Sequence, residues 1–269
     1  MTELLLAAGV NLAVAVVAMG ITAGIALRLG RVSVVDVTWG VALLGVAVAD
    51  ALITPGWLTW LLVALVAVWG GRLSWHIWAR SRGHGEDPRY AAYLAPHTPE
   101  SDRRAWFRAA LVKVFGIQAA AVWLVALPLL AAAVGEPVHV WPVWVGVAVF
   151  AVGFGFETVG DAQLAAYKRD PDRGPVMDRG LWGWSRHPNY FGDAAVWWGL
   201  WLVGAGSTGW LPALLTVVAP VTMTYFLAFT TGARLLEHRM MERPGYAEYA
   251  ARTSMFFPLP PRRRGAASA

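Results

Sequence analysis

The most informative stretch of this chain is GLWGWSRHPNYFGDAAVWWGLWLVGAG (residues 180–206), because it joins a polar segment directly to a long apolar run. The polar segment carries five side chains at the edge of that run: Arg186, His187, Asn189, Tyr190 and Asp193. Burying such groups costs free energy unless they meet partners or a ligand. The stretch therefore predicts a polar site at a membrane boundary. We expect a second polar stretch, residues 235–258, to face it.

The rest of the chain is too apolar for a soluble protein. Of its 269 residues, 57% are hydrophobic and 14% are charged, whereas about 25% are charged in a typical soluble domain. A helix that crosses a bilayer needs roughly 20 apolar residues. Seven such segments occur, at residues 3–28, 32–53, 57–79, 107–134, 140–166, 188–206 and 209–233. The sequence predicts an all-α, polytopic membrane protein with one domain (1–258) and a disordered tail (259–269).

The basic residues give the expected orientation. Every Lys and Arg falls at or near the connection between the first and second segments, flanks the connection between the third and fourth, lies between the fifth and sixth, or follows the seventh. With seven crossings all of them lie on one side, and the positive-inside rule makes that side cytoplasmic. We therefore expect the N-terminus outside, the C-terminus in the cytoplasm, and a location in the inner (plasma) membrane.

Composition also narrows the classes of function. The chain has no cysteine, which excludes disulfides and thiolate chemistry, and its six histidines are scattered without a ligand-like spacing. We expect no metal. The net charge of +5 is explained by topology and by contact with anionic membrane lipid, so nucleic acid is not an expected partner.

Acidic residues inside apolar helices are the first candidates for chemistry. Asp36 lies early in the second segment, where it could act on a substrate, cap the helix or pair with Arg72. Glu157 and Asp161 are four residues apart on one helix face, and Lys168 follows on the same face. A ligand with hydroxyl and phosphate groups, or the nearby cations, would relieve the repulsion between the two acids.

The segment around Pro188 has the features of an anion site. Proline suits the first turn of a helix, whose free N–H groups and dipole attract anions, and Arg186 adds a cation. Asn189 and Asp193 then share a helix face. These residues predict contacts to a phosphate and to hydroxyl or amide groups. The alternative, a rim helix with interfacial anchors, does not explain Asn189 and Asp193.

Two further polar segments have weaker signals. Tyr246, Tyr249 and Arg252 recur at three-residue spacing, which suits either a packed amphipathic helix or contacts to an adenine ring and a phosphate. The loop RSRGHGEDPRY (residues 80–90) has neither a Walker loop nor a dinucleotide fingerprint. It either closes over a cofactor or is a structured cytoplasmic loop held by a contact between Arg82 and Asp87.

At these motifs the chain resembles the DUF1295 membrane proteins, which are related to steroid 5α-reductases. The resemblance rests on GLWxxSRHPNYFGD, GEDxRY and the late Tyr-x-x-Tyr followed by Phe-Pro, and it spans residues 36–258. It implies a seven-helix fold in which residues 32–134 face the substrate. Residues 140–258 would hold NADPH in a cavity open to the cytoplasm.

The resemblance also implies roles for single residues. Asp36 would take the place of the acid that holds the substrate carbonyl, and Trp69 lies near the place of that acid's tyrosine partner. The expected cofactor-binding residues are Glu157, Asp161, Lys168, Arg179, Arg186, His187, Asn189, Tyr190, Asp193, Glu237, Tyr246, Tyr249 and Arg252.

These features favour a membrane-embedded NADPH-dependent reductase of an activated C=C bond in a lipophilic, steroid-like or isoprenoid-like enone. The RHPxY element also resembles isoprenylcysteine carboxyl methyltransferases. An S-adenosylmethionine-dependent methyltransferase of a small lipophilic substrate is therefore the alternative. A membrane scaffold without enzymatic activity is the third hypothesis, and the interior polar residues argue against it.

Overall fold

A computed structural model describes residues 2–230 and 232–261 of the protein. Most of the predicted tail, residues 262–269, lies outside the described residues. The described chain is predominantly helical, which confirms the all-α prediction. Across those residues, β pairing is limited to an isolated bridge between Ser185 and Ser254.

Thirteen α-helices are present in the described residues. In chain order they are α1 (Thr2–Leu29), α2 (Val35–Ile53), α3 (Trp57–Ser81), α4 (Pro88–Leu94), α5 (Arg103–Ala110), α6 (Ile117–Val125), α7 (Leu127–Val134), α8 (Trp141–Arg169), α9 (Pro188–Trp201), α10 (Trp210–Thr216), α11 (Val218–Tyr225), α12 (Ala233–Met240) and α13 (Tyr246–Arg252). Turns of π-helix continue α5 into α6 at Leu111–Gly116, extend α9 at Leu202–Gly206 and extend α11 at Phe226–Thr230.

Six helical segments in the described chain are long and apolar enough to cross a membrane. They are Thr2–Leu29, Val35–Ile53, Trp57–Ser81, Arg103–Val125, Trp141–Arg169 and Trp210–Thr230. The protein is therefore an integral membrane protein by the length and composition of its helices. The segment predicted at 188–206 is helical as α9 and its π-helical extension but is not among these six.

The chain divides into two compact units. The first comprises the residues up to Val143 together with Val203–Ala219, and the second comprises Trp144–Leu202 and the residues from Pro220 onward. Each unit has a polar cluster of its own.

In the first unit, α2 and α3 cross at a pair of glycines. A Cβ on Gly40 would lie 2.2 Å from the carbonyl oxygen of Gly70, so the two backbones are in direct contact. Small residues permit this approach between membrane helices, where dispersion contacts and hydrogen bonds drive association. Beside the crossing, Ser74 donates a hydrogen bond to the Val37 carbonyl at 2.7 Å.

In the second unit, glycines bring α8 against α9. A Cβ on Gly192 would lie 2.4 Å from the backbone nitrogen of Glu157, and one on Gly153 would lie 2.6 Å from the Gly192 carbonyl. Further along, Gly199 is as close to the backbone of Phe150. This contact sets polar side chains of α8 beside those at the start of α9.

Candidate functional site

The two polar stretches of the second unit are in contact, as the sequence predicts. The backbone N–H of Arg186 donates to the Ser254 carbonyl at 2.8 Å, and the Ser185 hydroxyl donates to the Phe256 carbonyl at 2.8 Å. These bonds fix the chain just before the α9 N-terminus to the segment after α13. The start of α9 is therefore held from outside the helix.

One carboxylate, Glu237 on α12, organises the contact between the stretches. Its oxygens accept hydrogen bonds from Arg186 Nε at 3.0 Å and from the Tyr246 hydroxyl at 2.7 Å. Its Oε1 also lies 2.9 Å from His187 Nε2, and its Oε2 lies 2.9 Å from Arg186 Nη2. We call Arg186, His187, Glu237 and Tyr246 the C-terminal lock.

Electrostatics within the C-terminal lock favour a charged Glu237. Partial burial alone would raise its pKa, but the bonds from His187 and Tyr246 and the charge of Arg186 together lower the pKa below its usual value. Burial and the Glu237 carboxylate raise the pKa of the Tyr246 hydroxyl. Tyr246 therefore stays protonated and donates to Glu237.

The C-terminal lock uses the hydrogen-bonding capacity of Arg186 within the chain. Besides its contacts with Glu237, Arg186 donates through Nη1 to the carbonyls of Ala250 at 2.7 Å and Thr253 at 3.2 Å. An arginine has five N–H donors, and this arrangement directs the guanidinium to α12 and to the end of α13. The predicted role of Arg186 and His187 in phosphate binding stays a prediction, and here both side chains hold the fold together.

Tyr249 and Arg252 likewise have partners in the second unit. The Tyr249 hydroxyl donates to the Trp182 carbonyl at 2.6 Å, and Arg252 forms an ion pair with Asp178. Tyr190 stacks on the ring of His187, with ring centres 5.6 Å apart and planes 4° from parallel. These contacts tie α13 and the start of α9 to the segment before α9.

A different set of polar residues lies where α8 meets α9. We call Glu157, Asp161, Asn189 and Asp193 the α8–α9 polar face. Asn189 Nδ2 donates to Asp161 Oδ1 at 3.0 Å, and both Glu157 and Asp193 are buried, with 3% and 7% of their surface exposed. The polar faces of the two helices are thus in contact.

The α8–α9 polar face includes an unsatisfied amide oxygen. The side-chain oxygen of Asn189 is buried, and no residue within 2–230 and 232–261 donates a hydrogen bond to it. A buried amide oxygen without a donor costs about 1–3 kcal/mol. Because Asp161 fixes the amide nitrogen, this oxygen is positioned to accept from a donor that residues 2–230 and 232–261 do not supply.

A cavity opens at the end of α8 in the second unit, with a volume of about 710 Å³. Its wall includes Arg173, Arg179, Glu248, Tyr249 and Arg252. Arg179 is exposed there, and Lys168 is exposed at the end of α8. The wall also carries Asp170, Asp172 and Asp178, and Arg252 is paired with Asp178. Arg179 and the tyrosine rings are therefore the groups that suit a phosphate and a flat ring.

The first unit contains a second cluster, around Asp36 at the start of α2. The Tyr90 hydroxyl donates to Asp36 Oδ1 at 2.5 Å, and Arg89 Nη2 lies 3.3 Å from Asp36 Oδ2. Arg89 also pairs with Asp87 at 2.9 Å. We call Asp36, Arg89 and Tyr90 the α2 acid cluster.

The α2 acid cluster corrects two expectations from the sequence. Asp36 pairs with Arg89 rather than Arg72 in the contacts described above, and Asp87 pairs with Arg89 rather than Arg82. Arg82 instead lies over the ring of Trp78, 4.4 Å from its centre. Trp69 is fully buried in α3, and its catalytic role stays a prediction.

Sequence reasoning missed Tyr90, although it ends the GEDPRY motif. Asp87 caps α4 by accepting from the Arg89 N–H at 2.8 Å, and Pro88 occupies the first turn. Glu86 accepts from the Ser33 N–H at 2.9 Å, which ties the loop to the start of α2. The loop therefore places Tyr90 beside Asp36. Because Tyr90 lies outside α3, the position of Trp69 on that helix does not point to it.

A family model matches residues 23–253, and the family is described as a protein of unknown function (DUF1295). The chain belongs to the DUF1295 family. The matched range includes the α2 acid cluster, the α8–α9 polar face and the C-terminal lock. None of the curated proteins and none of the solved structures matches the chain. The description of the DUF1295 family assigns no activity to its members.

Proposed function

We propose that this DUF1295 protein is a membrane-embedded, NADPH-dependent reductase of an activated C=C bond in a lipophilic, steroid-like or isoprenoid-like enone. The observation that carries the proposal is the hydrogen bond from the Tyr90 hydroxyl to Asp36. Steroid 5α-reductases, which the motifs resemble, hold the substrate carbonyl with an acid and a tyrosine. In this chain Tyr90, from the GEDPRY loop, supplies the tyrosine.

Tyr90 has the protonation state that polarising a carbonyl requires. Burial, together with the charge and hydrogen bond of Asp36, raises the pKa of the Tyr90 hydroxyl, so it carries its proton at physiological pH. When a carbonyl oxygen approaches, the hydroxyl can turn from Asp36 to that oxygen. Arg89 balances the negative charge of Asp36 during this change. Arg89 stays protonated because its contacts to Asp36 and Asp87 raise its pKa despite its burial.

Two features of the second unit support an adenosine-bearing cofactor such as NADPH. The Asn189 oxygen needs a donor, which a carboxamide or a ribose hydroxyl provides, and Asp161 orients it. The cavity lined by Arg179, Tyr249 and Arg252 has room for an adenosine with phosphates. NADPH, when bound, supplies the hydride that adds to one carbon of the double bond. The other carbon takes a proton from water, while Tyr90 stabilises the charge on the carbonyl oxygen.

The test is turnover by a matched pair of tyrosine variants. Tyr93 lies three residues after Tyr90 on the same short helix and is exposed, so Tyr93→Phe is the control. In detergent, NADPH oxidation would be followed with a panel of sterol-like and isoprenoid-like enones. We expect Tyr90→Phe to lower turnover about 10²–10⁴-fold and to leave NADPH binding unchanged. Full turnover by Tyr90→Phe would remove the cluster from the mechanism.

A methyltransferase that uses S-adenosylmethionine is the second candidate. The buried acids Glu157 and Asp193 favour it, because carboxylates stabilise a cationic sulfonium, and the cavity suits the adenosine of either cofactor. Methyl transfer gives no role to a tyrosine bonded to an acid in the α2 acid cluster. Thermal stabilisation by S-adenosylmethionine, without stabilisation by NADPH, would select this candidate.

The proposal includes seven crossings, with the N-terminus outside and the C-terminus in the cytoplasm. Helix α9 and its π-helical extension would form the additional crossing. Because the natural chain has no cysteine, single cysteines at Thr2 and Ser268 can be labelled with a membrane-impermeant maleimide in intact cells. Seven crossings predict labelling at residue 2 alone. Labelling of both positions, or of neither, would indicate an even number.

A further inference from the structure

A second acid on α2, Asp50, lies far from the α2 acid cluster. It is 14 residues after Asp36, or about 21 Å along the helix at 1.5 Å per residue. Asp50 is 2% exposed, and its partner Asn11 on α1 is 1% exposed. Asn11 Nδ2 donates to Asp50 Oδ2 at 3.2 Å. This acid–amide pair joins two membrane-spanning helices.

The pair leaves one oxygen on each residue unsatisfied. Asn11 Oδ1 and Asp50 Oδ1 are both buried without a hydrogen-bond partner in the part of the chain that the structure describes. Each such atom carries a desolvation cost. These two unsatisfied oxygens belong to one hydrogen-bonded pair. A single donor group shared between them would satisfy both.

Among the described residues, no cation on the elements packed around the pair is placed to serve them. Lys113, on the π-helical turn that also packs against α1, is exposed and lies over the Tyr93 ring, and Arg28 is 17 residues after Asn11 on α1. Helices α6 and α7, which pack against α1 and α2, contain no charged residue. On α3 the first ionisable residue is Arg72, 15 residues after the helix starts at Trp57. An ionised Asp50 would therefore stand in an apolar environment without a countercharge, which is costly.

A bound metal ion does not fit the pair either. Calcium takes 6–8 oxygen ligands and magnesium six, whereas two side-chain oxygens are open here. No group of three or more His, Asp or Glu side chains gathers among the described residues. A single proton, in contrast, needs one oxygen to carry it and one to accept it.

We infer that Asp50 and Asn11 form a proton-binding site, in which Asp50 is a neutral acid whose O–H donates to the Asn11 side-chain oxygen. The proton turns one orphan acceptor into a donor and satisfies the other. The pair then has two hydrogen bonds, one in each direction, and no net charge. This site is independent of the proposed reductase activity and joins α1 to α2 at the end of α2 opposite Asp36.

Infrared spectroscopy of the purified protein at neutral pH tests the inference directly. In the difference spectrum of wild type minus Asp50→Asn, we expect the C=O stretch of a protonated carboxylic acid, shifted down in D₂O. The control is Asp87→Asn. Despite partial burial, the hydrogen bonds and charge of Arg89 lower the pKa of Asp87, so that difference should contain carboxylate bands. Carboxylate bands in the Asp50→Asn difference would overturn the inference.

Thermal unfolding provides a second test. Asparagine at position 50 can exchange two hydrogen bonds with Asn11, so Asp50→Asn should keep the melting temperature of the wild type. Asp50→Leu leaves Asn11 without a partner and should lower it by several degrees. Equal losses in both variants would contradict the neutral pair. So would an acid band that disappears when sodium replaces choline in the buffer, because a cation would then occupy the site.

Discussion

The C-terminal lock and the α8–α9 polar face are built from the same kinds of residue, and they differ in how completely their polar atoms are satisfied. In the lock, Glu237 accepts from Arg186, His187 and Tyr246. In the face, Asp161 accepts from Asn189, whose own oxygen has no donor among the residues described. A self-satisfied cluster stabilises the fold, whereas an unsatisfied buried atom is available to a ligand.

The largest effect should come from removing the carboxylate of the lock. Glu237→Ala removes the carboxylate that pairs with Arg186 and His187 and leaves the charge of Arg186 to backbone carbonyls alone, and we expect a loss of about 3 kcal/mol in unfolding free energy. Thermal or denaturant unfolding in detergent measures it. Glu242→Ala is the control, because that side chain is exposed five residues later. Equal stability of the two variants would show that the lock is not structural.

A smaller loss should follow from separating the helices that carry the face. A methyl group on Gly192 would meet the backbone of Glu157, so Gly192→Ala should cost about 2 kcal/mol and should also weaken cofactor binding by displacing Asn189. Gly155→Ala has open space on α8 and should be neutral in unfolding and in NADPH titration. If Gly192→Ala changed stability without changing affinity, the face would not be the binding surface.

The smallest effect should appear as a dependence on pH. The pKa of Glu237 is lowered in the folded protein, so its contribution is fully present above the unfolded value of about 4.3. That contribution is lost as pH falls through the lower, folded value. The melting temperature of the wild type should therefore fall in acid more steeply than that of Glu237→Gln. Parallel pH profiles for the two proteins would mean that Glu237 gains nothing from its partners.

The sequence predicted the helical membrane fold and the contact between the two polar stretches, because both follow from long apolar runs and from the cost of burying polar groups. The sequence could not show that Arg186 and Asn189 have different roles, since both are polar residues at the start of one helix. Their difference arises from α12, where Glu237 reaches Arg186 but leaves Asn189 to Asp161. That pairing depends on tertiary contacts between segments about 50 residues apart in sequence.

Tyr90 shows a second limit of sequence reasoning. Asp36 was found because an acid in an apolar helix is conspicuous, but a tyrosine in a polar loop is not. Asp87 and Pro88 start a helix of seven residues, and that short helix sets Tyr90 against Asp36. Tyr90 lies on a short helix that follows a loop, so no periodicity in the sequence links it to α2, the helix that it contacts.

We propose that NADPH binds at the α8–α9 polar face. This proposal is tested by the thermal stability of wild type and Asn189→Ala during titration with NADPH. We expect wild type to gain about 2.7 kcal/mol at a concentration 100 times Kd, and Asn189→Ala to fold normally but lose most of that gain. An equal gain in both proteins, or no gain in the wild type, would contradict the account.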